Sequence, residues 1–205
     1  MKKSLYNFLR GTFGGLMRLL FRIRVVNPEK EPKSGSYLIC ANHTGLSDVI
    51  IMVAALRHQR VNFMAKKELF KIPILSLFLR AIGAFPVDRK GSSVAAIKTA
   101  ITLVKDGNSV GVFPQGTRCP HVDPRTTEVK SGVGMIAYRA GCDVLPIYLK
   151  TKKNKTGLFC RTRCIIGEPI AYGELGFEKG GSAEYDVAAA RIFDRICALG
   201  ESADA

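Results

Sequence analysis

Acidic side chains are scarce in this sequence beside basic ones: 17 Asp and Glu stand against 31 Lys and Arg in 205 residues, a formal net charge of +14. The shortage is uneven. Residues 1–173 hold 28 basic and 10 acidic groups, a net of +18, whereas residues 174–205 hold 3 and 7, a net of −4. A body so poor in carboxylates seeks anionic partners, and charge alone does not choose among nucleic acid, anionic lipid headgroups and a phosphorylated substrate. Long apolar runs are also missing. No uncharged apolar stretch reaches the ~18 residues of a membrane-crossing helix, so the chain is not expected to span a bilayer. The opening Met1-Lys2-Lys3 followed by apolar residues imitates a signal peptide, but Arg10 and Arg18 interrupt it and no clean small-residue cleavage site follows. Internal repeats and low-complexity tracts are absent. The six cysteines are scattered, and neither Cys160 with Cys164 nor Cys119 near His121 makes the paired framework of a structural zinc site. Free thiols in a reducing compartment and no metal are expected.

What remains is a chain of one-domain size with ordinary apolar content. At its start, Leu5, Phe8, Leu9, Phe13, Leu16 and Leu20 recur at three- and four-residue spacing, with Lys2, Lys3, Arg10 and Arg18 around them. This suits either a helix lying in an anionic membrane surface or one docked on its own domain. Residues 1–24 are read as an amphipathic membrane-associating segment and 25–205 as the main domain. Strands are expected at 37–41, 62–65, 109–113, 144–149 and 159–166. Helices are expected at 47–56, 74–82, 92–106, 132–140 and 183–199, with a long functional loop over 114–131. The alternation predicts an α/β domain whose mixed sheet is covered by helices.

Three segments carry candidate chemistry. In Asn42-His43-Thr44-Gly45-Leu46-Ser47-Asp48, positions five apart on one helix lie roughly 140° apart and cannot meet. His43 and Asp48 pair only if His43 sits in a turn before the helix and Asp48 in its first turn, with Gly45 permitting the turn. Asp48 then fixes the imidazole tautomer and leaves the other nitrogen as a base. A loop histidine beside a helix-capping aspartate is the plainer reading of such a pair taken alone. In Phe113-Pro114-Gln115-Gly116-Thr117-Arg118, at a strand end, Gly116 admits a ligand to the backbone, Thr117 offers a hydroxyl and Arg118 a planar fork for phosphate. Gly83-Ala-Phe-Pro-Val-Asp-Arg89 is an apolar approach to another arginine, or a turn with a surface Asp-Arg pair. A fourth segment, Val144-Leu-Pro-Ile-Tyr148, reads only as a buried strand interrupted by proline.

In this order the four segments resemble the glycerolipid acyltransferase family that includes the bacterial 1-acylglycerol-3-phosphate acyltransferases. That family is marked by an NHxxxxD box, a short block ending in Arg, an FPEGTR box and an apolar block centred on proline. The resemblance implies acyl transfer from a thioester, carried by acyl-carrier protein or coenzyme A, to the sn-2 hydroxyl of 1-acylglycerol 3-phosphate. The product would be phosphatidic acid, made without a covalent acyl-enzyme and without metal or cofactor. By the same resemblance His43 is the general base, Asp48 orients it, and Arg118, Arg89 and Lys66 hold the acceptor phosphate. Gln115, Gly116 and Thr117 form the substrate and oxyanion loop. Lys130-Ser131-Gly132 resembles a downstream element that supports that loop. The enzyme would work at the cytoplasmic face of the cell membrane, peripheral or monotopic. One departure stands out: the third box has Gln115 where the family has Glu, which keeps size and hydrogen bonding but loses charge and leaves acceptor preference open.

Two other readings compete. Lys150 to Arg163 carries six cations around Phe159 and suggests a nucleic-acid stripe, although no nucleic-acid motif accompanies it. Gly132-Val-Gly134-Met-Ile-Ala137 fits GxGxxA, but a polar loop precedes it and Lys152 stands where a dinucleotide site needs an acid. Another lysophospholipid or glycerol phosphate remains the alternative acceptor.

Overall fold

Leu38-Ile-Cys-Ala41 is buried at every position, as a strand covered on both faces requires. Leu38 and Cys40 belong to one apolar cluster and Ile39 and Ala41 to another, the period-two alternation of a strand between two cores. The computed structural model describes residues 14–81, 83–87 and 93–202. Around that strand it builds a seven-stranded sheet: β1 (Ile23–Val26), β2 (Leu38–Ala41), β3 (Val61–Lys66), β4 (Ala84–Val87), β5 (Ser109–Val112), β6 (Val144–Lys150) and β7 (Thr162–Ile166). Their order across the sheet is β1-β7-β6-β2-β5-β3-β4. The five strands β2 to β6 run parallel, β7 pairs antiparallel to β6, and β1 runs with β7. The mixed α/β sheet covered by helices is the architecture expected from the sequence.

Helices cover both faces. A short helix α1 spans 14–20, followed by α2 (Asp48–Ala55), α3 (Pro73–Ala81), α4 (Ser93–Lys105), α5 (Gly132–Ala140) and α6 (Ser182–Ser202). Ala100 and Val104 of α4, Ile136 of α5 and Ile192 and Ile196 of α6 close one core, while Ile51, Met52 and Ala55 of α2 close the other. Helices α5 and α6 approach closely because Gly134 has no side chain; a Cβ there would lie 2.2 Å from the Tyr185 carbonyl oxygen. Helix packing, rather than a dinucleotide, accounts for the glycine in that GxGxxA match.

Two prolines lie in strands, and each sits where its missing N–H does no harm. Pro86 is in β4, at the sheet edge. Pro146 is in β6, one position beyond the Ile147–Ile166 pair that ends the β6–β7 ladder. Its carbonyl accepts from Gly167 at 2.9 Å, and the N–H it lacks would point to that same open end.

The start of the chain differs from expectation. The boundary drawn between residues 24 and 25 falls inside β1, which is paired with β7 from Ile23 onward. Phe21 is buried, and Met17 and Leu20 pack against the α2 core. Arg18, expected as part of a charged rim, donates from Nε to the Ala54 carbonyl at 2.7 Å and from Nη2 to that of Ala55 at 3.0 Å. It thus caps the carbonyl end of α2. The described turns of the first helix are docked on the domain, and Leu5, Phe8, Leu9 and Phe13 lie outside the described residues.

Candidate active site

The carboxyl ends of β2, β3, β5 and β6 share one edge of the sheet, where open α/β folds bind ligands. The chain leaves β2 through Asn42, whose side chain joins two strands: Nδ2 donates to the Leu149 carbonyl at 3.1 Å and Oδ1 accepts from the Leu149 N–H at 2.7 Å. This amide completes the ladder between β2 and β6 where the backbone of β2 turns away. His43 follows in that turn. Its N–H donates to Gln115 Oε1 at 2.6 Å, its carbonyl accepts from the Cys119 N–H at 2.8 Å, and its ring stacks on Phe113 with centroids 3.9 Å apart.

Nδ1 of His43 lies 2.7 Å from Oδ2 of Asp48, the first residue of α2. The strand–turn–helix geometry demanded by the five-residue spacing is therefore present. Asp48 is fully buried, which a charged group tolerates only when its oxygens are satisfied. Oδ2 also accepts from the N–H groups of Thr44 at 2.6 Å and Gly45 at 2.9 Å, and Oδ1 accepts from the hydroxyls of Thr44 and Thr156. An acceptor-only carboxylate makes Nδ1 the protonated nitrogen and leaves the lone pair on Nε2. Gly45 serves the turn through space rather than through an unusual dihedral: a Cβ would lie 2.5 Å from the Thr156 hydroxyl oxygen.

Gln115 is buried, and its amide is spent on the scaffold. Oε1 holds the His43 N–H while Nε2 donates to the Thr127 hydroxyl at 2.8 Å, and that hydroxyl donates to the Pro124 carbonyl. The side chain thus ties the base to the 114–131 loop instead of facing a ligand. Gly116 has φ +68°, and its N–H closes a turn onto the Phe113 carbonyl at 3.0 Å. That N–H is committed and is not available to an oxyanion. Lys130 donates its N–H to the Pro114 carbonyl at 2.9 Å and so closes the base of the loop.

Thr117 and Arg118 are exposed on this loop, two and one residues before Cys119 and its bond to His43. Lys66 is exposed at the carboxyl end of β3. Arg89 lies outside the described residues. Beside the imidazole a mainly apolar cleft of about 180 Å³ runs between Phe63, Ile97, Gly111, Phe113, Val133 and Ile136. Its size fits a chain end better than a whole drug-sized ligand. A larger cavity, about 470 Å³ and lined by cations, lies elsewhere on the same edge. Of the six cations that suggested a nucleic-acid stripe, Lys150 of β6, Arg163 of β7 and Lys152 and Arg161 of the loop between them line this cavity, and Lys153 and Lys155 lie on the same loop.

Sequence reasoning missed Asn42 as a strand clamp, Phe113 as the ring beneath the base and Thr156 as a partner of Asp48. Asn42 and Phe113 are part of the boxes, so their position was a usable signal. Thr156 lies 108 residues from Asp48 inside a charged run, where nothing local points to it.

A family model described as Acyltransferase matches residues 22–150. A Bacillus subtilis protein named 1-acyl-sn-glycerol-3-phosphate acyltransferase is 33% identical over 168 residues, covering 81% of this chain and 82% of that protein. A Streptococcus pneumoniae protein of the same name is 32% identical over 84% of this chain and 65% of its own length. The crystal structure of the 1-acyl-sn-glycerophosphate acyltransferase PlsC from Thermotoga maritima superposes with a TM-score of 0.65 at 24% identity, covering 90% of this chain and 80% of that one, and supports the fold. With the family model spanning both the His-Asp turn and the strand-end loop, and a relative 33% identical over 81% of the chain, this protein belongs to the acyltransferase family.

Proposed function

We propose that this chain transfers a fatty acyl group from a thioester to the sn-2 hydroxyl of 1-acylglycerol 3-phosphate, giving phosphatidic acid. One observation carries the proposal: an imidazole fixed by a fully buried carboxylate borders an apolar cleft, and the loop bonded to the His43 carbonyl carries an exposed Arg118. Nε2 takes the proton of the acceptor hydroxyl as its oxygen attacks the thioester carbonyl carbon. The tetrahedral intermediate collapses with cleavage of the C–S bond, and the imidazolium returns the proton to the departing thiolate. Asp48 keeps its charge throughout and stabilises the imidazolium.

Arg118 and Lys66 supply cations for the acceptor phosphate, with Arg89 as a third. The cleft receives the first part of the acyl chain. The thioester is already activated, so this scheme asks for no metal or cofactor, and acyl-carrier protein or coenzyme A serves as donor carrier. The workplace is the cytoplasmic membrane surface, met peripherally; among the described residues no helix is long and apolar enough to cross a membrane. Assay of purified protein with both donors against lysophosphatidate, other lysophospholipids and glycerol 3-phosphate tests the reading. Lysophosphatidate is expected to be the best acceptor, and preference for an acceptor without a terminal phosphate would refute the assignment.

A further inference from the structure

Because β1 and β7 run against the five parallel strands, their starting ends share an edge with the carboxyl ends of β2 to β6. The basic groove opens there, on the same edge as His43. Its walls are Arg22, Arg24, Lys150, Lys152, Arg161 and Arg163 with two threonines, and no carboxylate lines it. Strand register sets Arg24 beside Arg163 and Arg163 beside Lys150 across three neighbouring strands, a concentration of like charge that a sheet disfavours. Lys150 donates to the Gly200 carbonyl. Arg22, Arg24, Lys152 and Arg161 are exposed, and among the described residues none of these four pairs with a carboxylate.

Apolar groups border this groove on the chain segments that build it. The β6–β7 loop that supplies Lys152 and Arg161 also exposes Leu158 and Phe159, at 54% and 63%. Phe159 holds φ +60°, a left-handed backbone that is costly for a bulky residue. Its N–H donates to the Leu20 carbonyl at 2.8 Å, which sets the loop against the end of α1, where Leu19 is 74% exposed. A soluble phosphate would use the cations and have no need of the apolar projection. Cations around exposed Leu and Phe are the composition of a surface that enters the headgroup region of an anionic bilayer.

We propose that this groove is a binding site for anionic phospholipid headgroups, and that Leu158, Phe159 and Leu19 enter the bilayer interface beside it. Docked in this way, the edge that carries His43 meets the lipid surface, with Leu46 exposed at 77% between the catalytic pair. The inference deepens the membrane-surface reading given above and rests on it for its purpose, whereas binding itself is measured without turnover.

The test is sedimentation of the full chain with phosphatidylcholine vesicles, with and without phosphatidylglycerol. The unaltered chain should prefer the anionic vesicles. Lys152→Glu/Arg161→Glu and, separately, Leu158→Ser/Phe159→Asn should each weaken that binding about tenfold or more. Both variants should retain the thermal midpoint and the acyl transfer to lysophosphatidate in detergent micelles. Arg22→Gln/Arg24→Gln provides a second, milder charge variant should the first not fold. Unchanged vesicle binding by the charge variants would overturn the proposal. So would a raised KM for acyl-carrier-protein thioester with vesicle binding intact, which would make the groove a protein-docking site. Stabilisation by inorganic phosphate without any vesicle binding would likewise overturn it. Absence of acyl transfer by the unaltered chain in micelles would instead refute the proposed function and leave the vesicle result standing.

Discussion

The hydroxyl of Thr156 donates to Oδ1 of Asp48 across 108 residues of chain, joining the β6–β7 loop to the carboxylate that holds His43. Both side chains are buried, and Gly45 leaves just the room for the threonine. A buried carboxylate oxygen deprived of such a donor loses about 1–3 kcal/mol. Thr156→Val, nearly the same shape, should therefore lower kcat/KM about tenfold or more. Thr156→Ser should restore it, an outcome that simple loss of packing would not produce.

Gln115 separates two readings of its box. If its amide serves the scaffold, Gln115→Ala leaves the His43 N–H and the Thr127 hydroxyl short of a partner and costs about 1–3 kcal/mol of stability, with a fall in turnover. Gln115→Glu still accepts from the His43 N–H and from a rotated Thr127 hydroxyl, so most activity should remain. Denaturant midpoints and kcat for both variants decide the matter. Unchanged midpoint and turnover in Gln115→Ala would contradict the scaffold role.

Arg118 is exposed and contributes little to packing. Arg118→Ala should change stability by no more than about 0.5 kcal/mol while raising the KM for lysophosphatidate. Arg118→Lys should recover only part of the loss, because an ammonium cannot form the two-pronged contact. An unaltered KM would remove Arg118 from the phosphate site.

All six thiols are free, and four are buried. Burial pushes Cys142 and Cys197 up to about 11 and Cys164 up to about 12, and raises Cys40 well above the usual range. An unfolded thiol ionises near about 8.5. Below that pH both states are protonated and the folded state keeps its full stability. From there to about 11 the unfolded chain releases protons that the folded chain retains, so stability falls as pH rises. Urea midpoints under reducing conditions should decline over this window, and Cys164→Ala should flatten the decline. In the folded protein an alkylating reagent should label exposed Cys160 first and half-exposed Cys119 next. Labelling of the buried four at the same rate would contradict the packing.

Much of this was legible in sequence because it is local. The helix at 132–140 is bounded by a loop and by Gly141, and the spacing of His43 and Asp48 fixes the one geometry in which they can pair, a turn before a helix, although the pairing itself is favoured only with the other boxes beside it. The missing elements are those whose cause is distant. Ile23–Val26 is four residues long and becomes a strand only by pairing with β7. Ala84–Val87 contains a proline that an edge strand tolerates, so its pattern reads as a turn. The strand expected from Phe159 starts at Thr162, because Phe159 adopts a left-handed backbone against α1. Gln115 shows the same limit at the site: its box is visible, but the partners of its amide, His43 and Thr127, lie 72 and 12 residues away in sequence.

The central claim is that His43, held by Asp48, is the base for acyl transfer. Its most direct test is the single-turnover rate of purified His43→Ala with lysophosphatidate and a thioester donor, alongside its thermal midpoint. The account predicts a loss of about 10²–10⁴-fold in rate in a protein that remains folded. A folded His43→Ala protein that transfers acyl groups at a near-normal rate would contradict it.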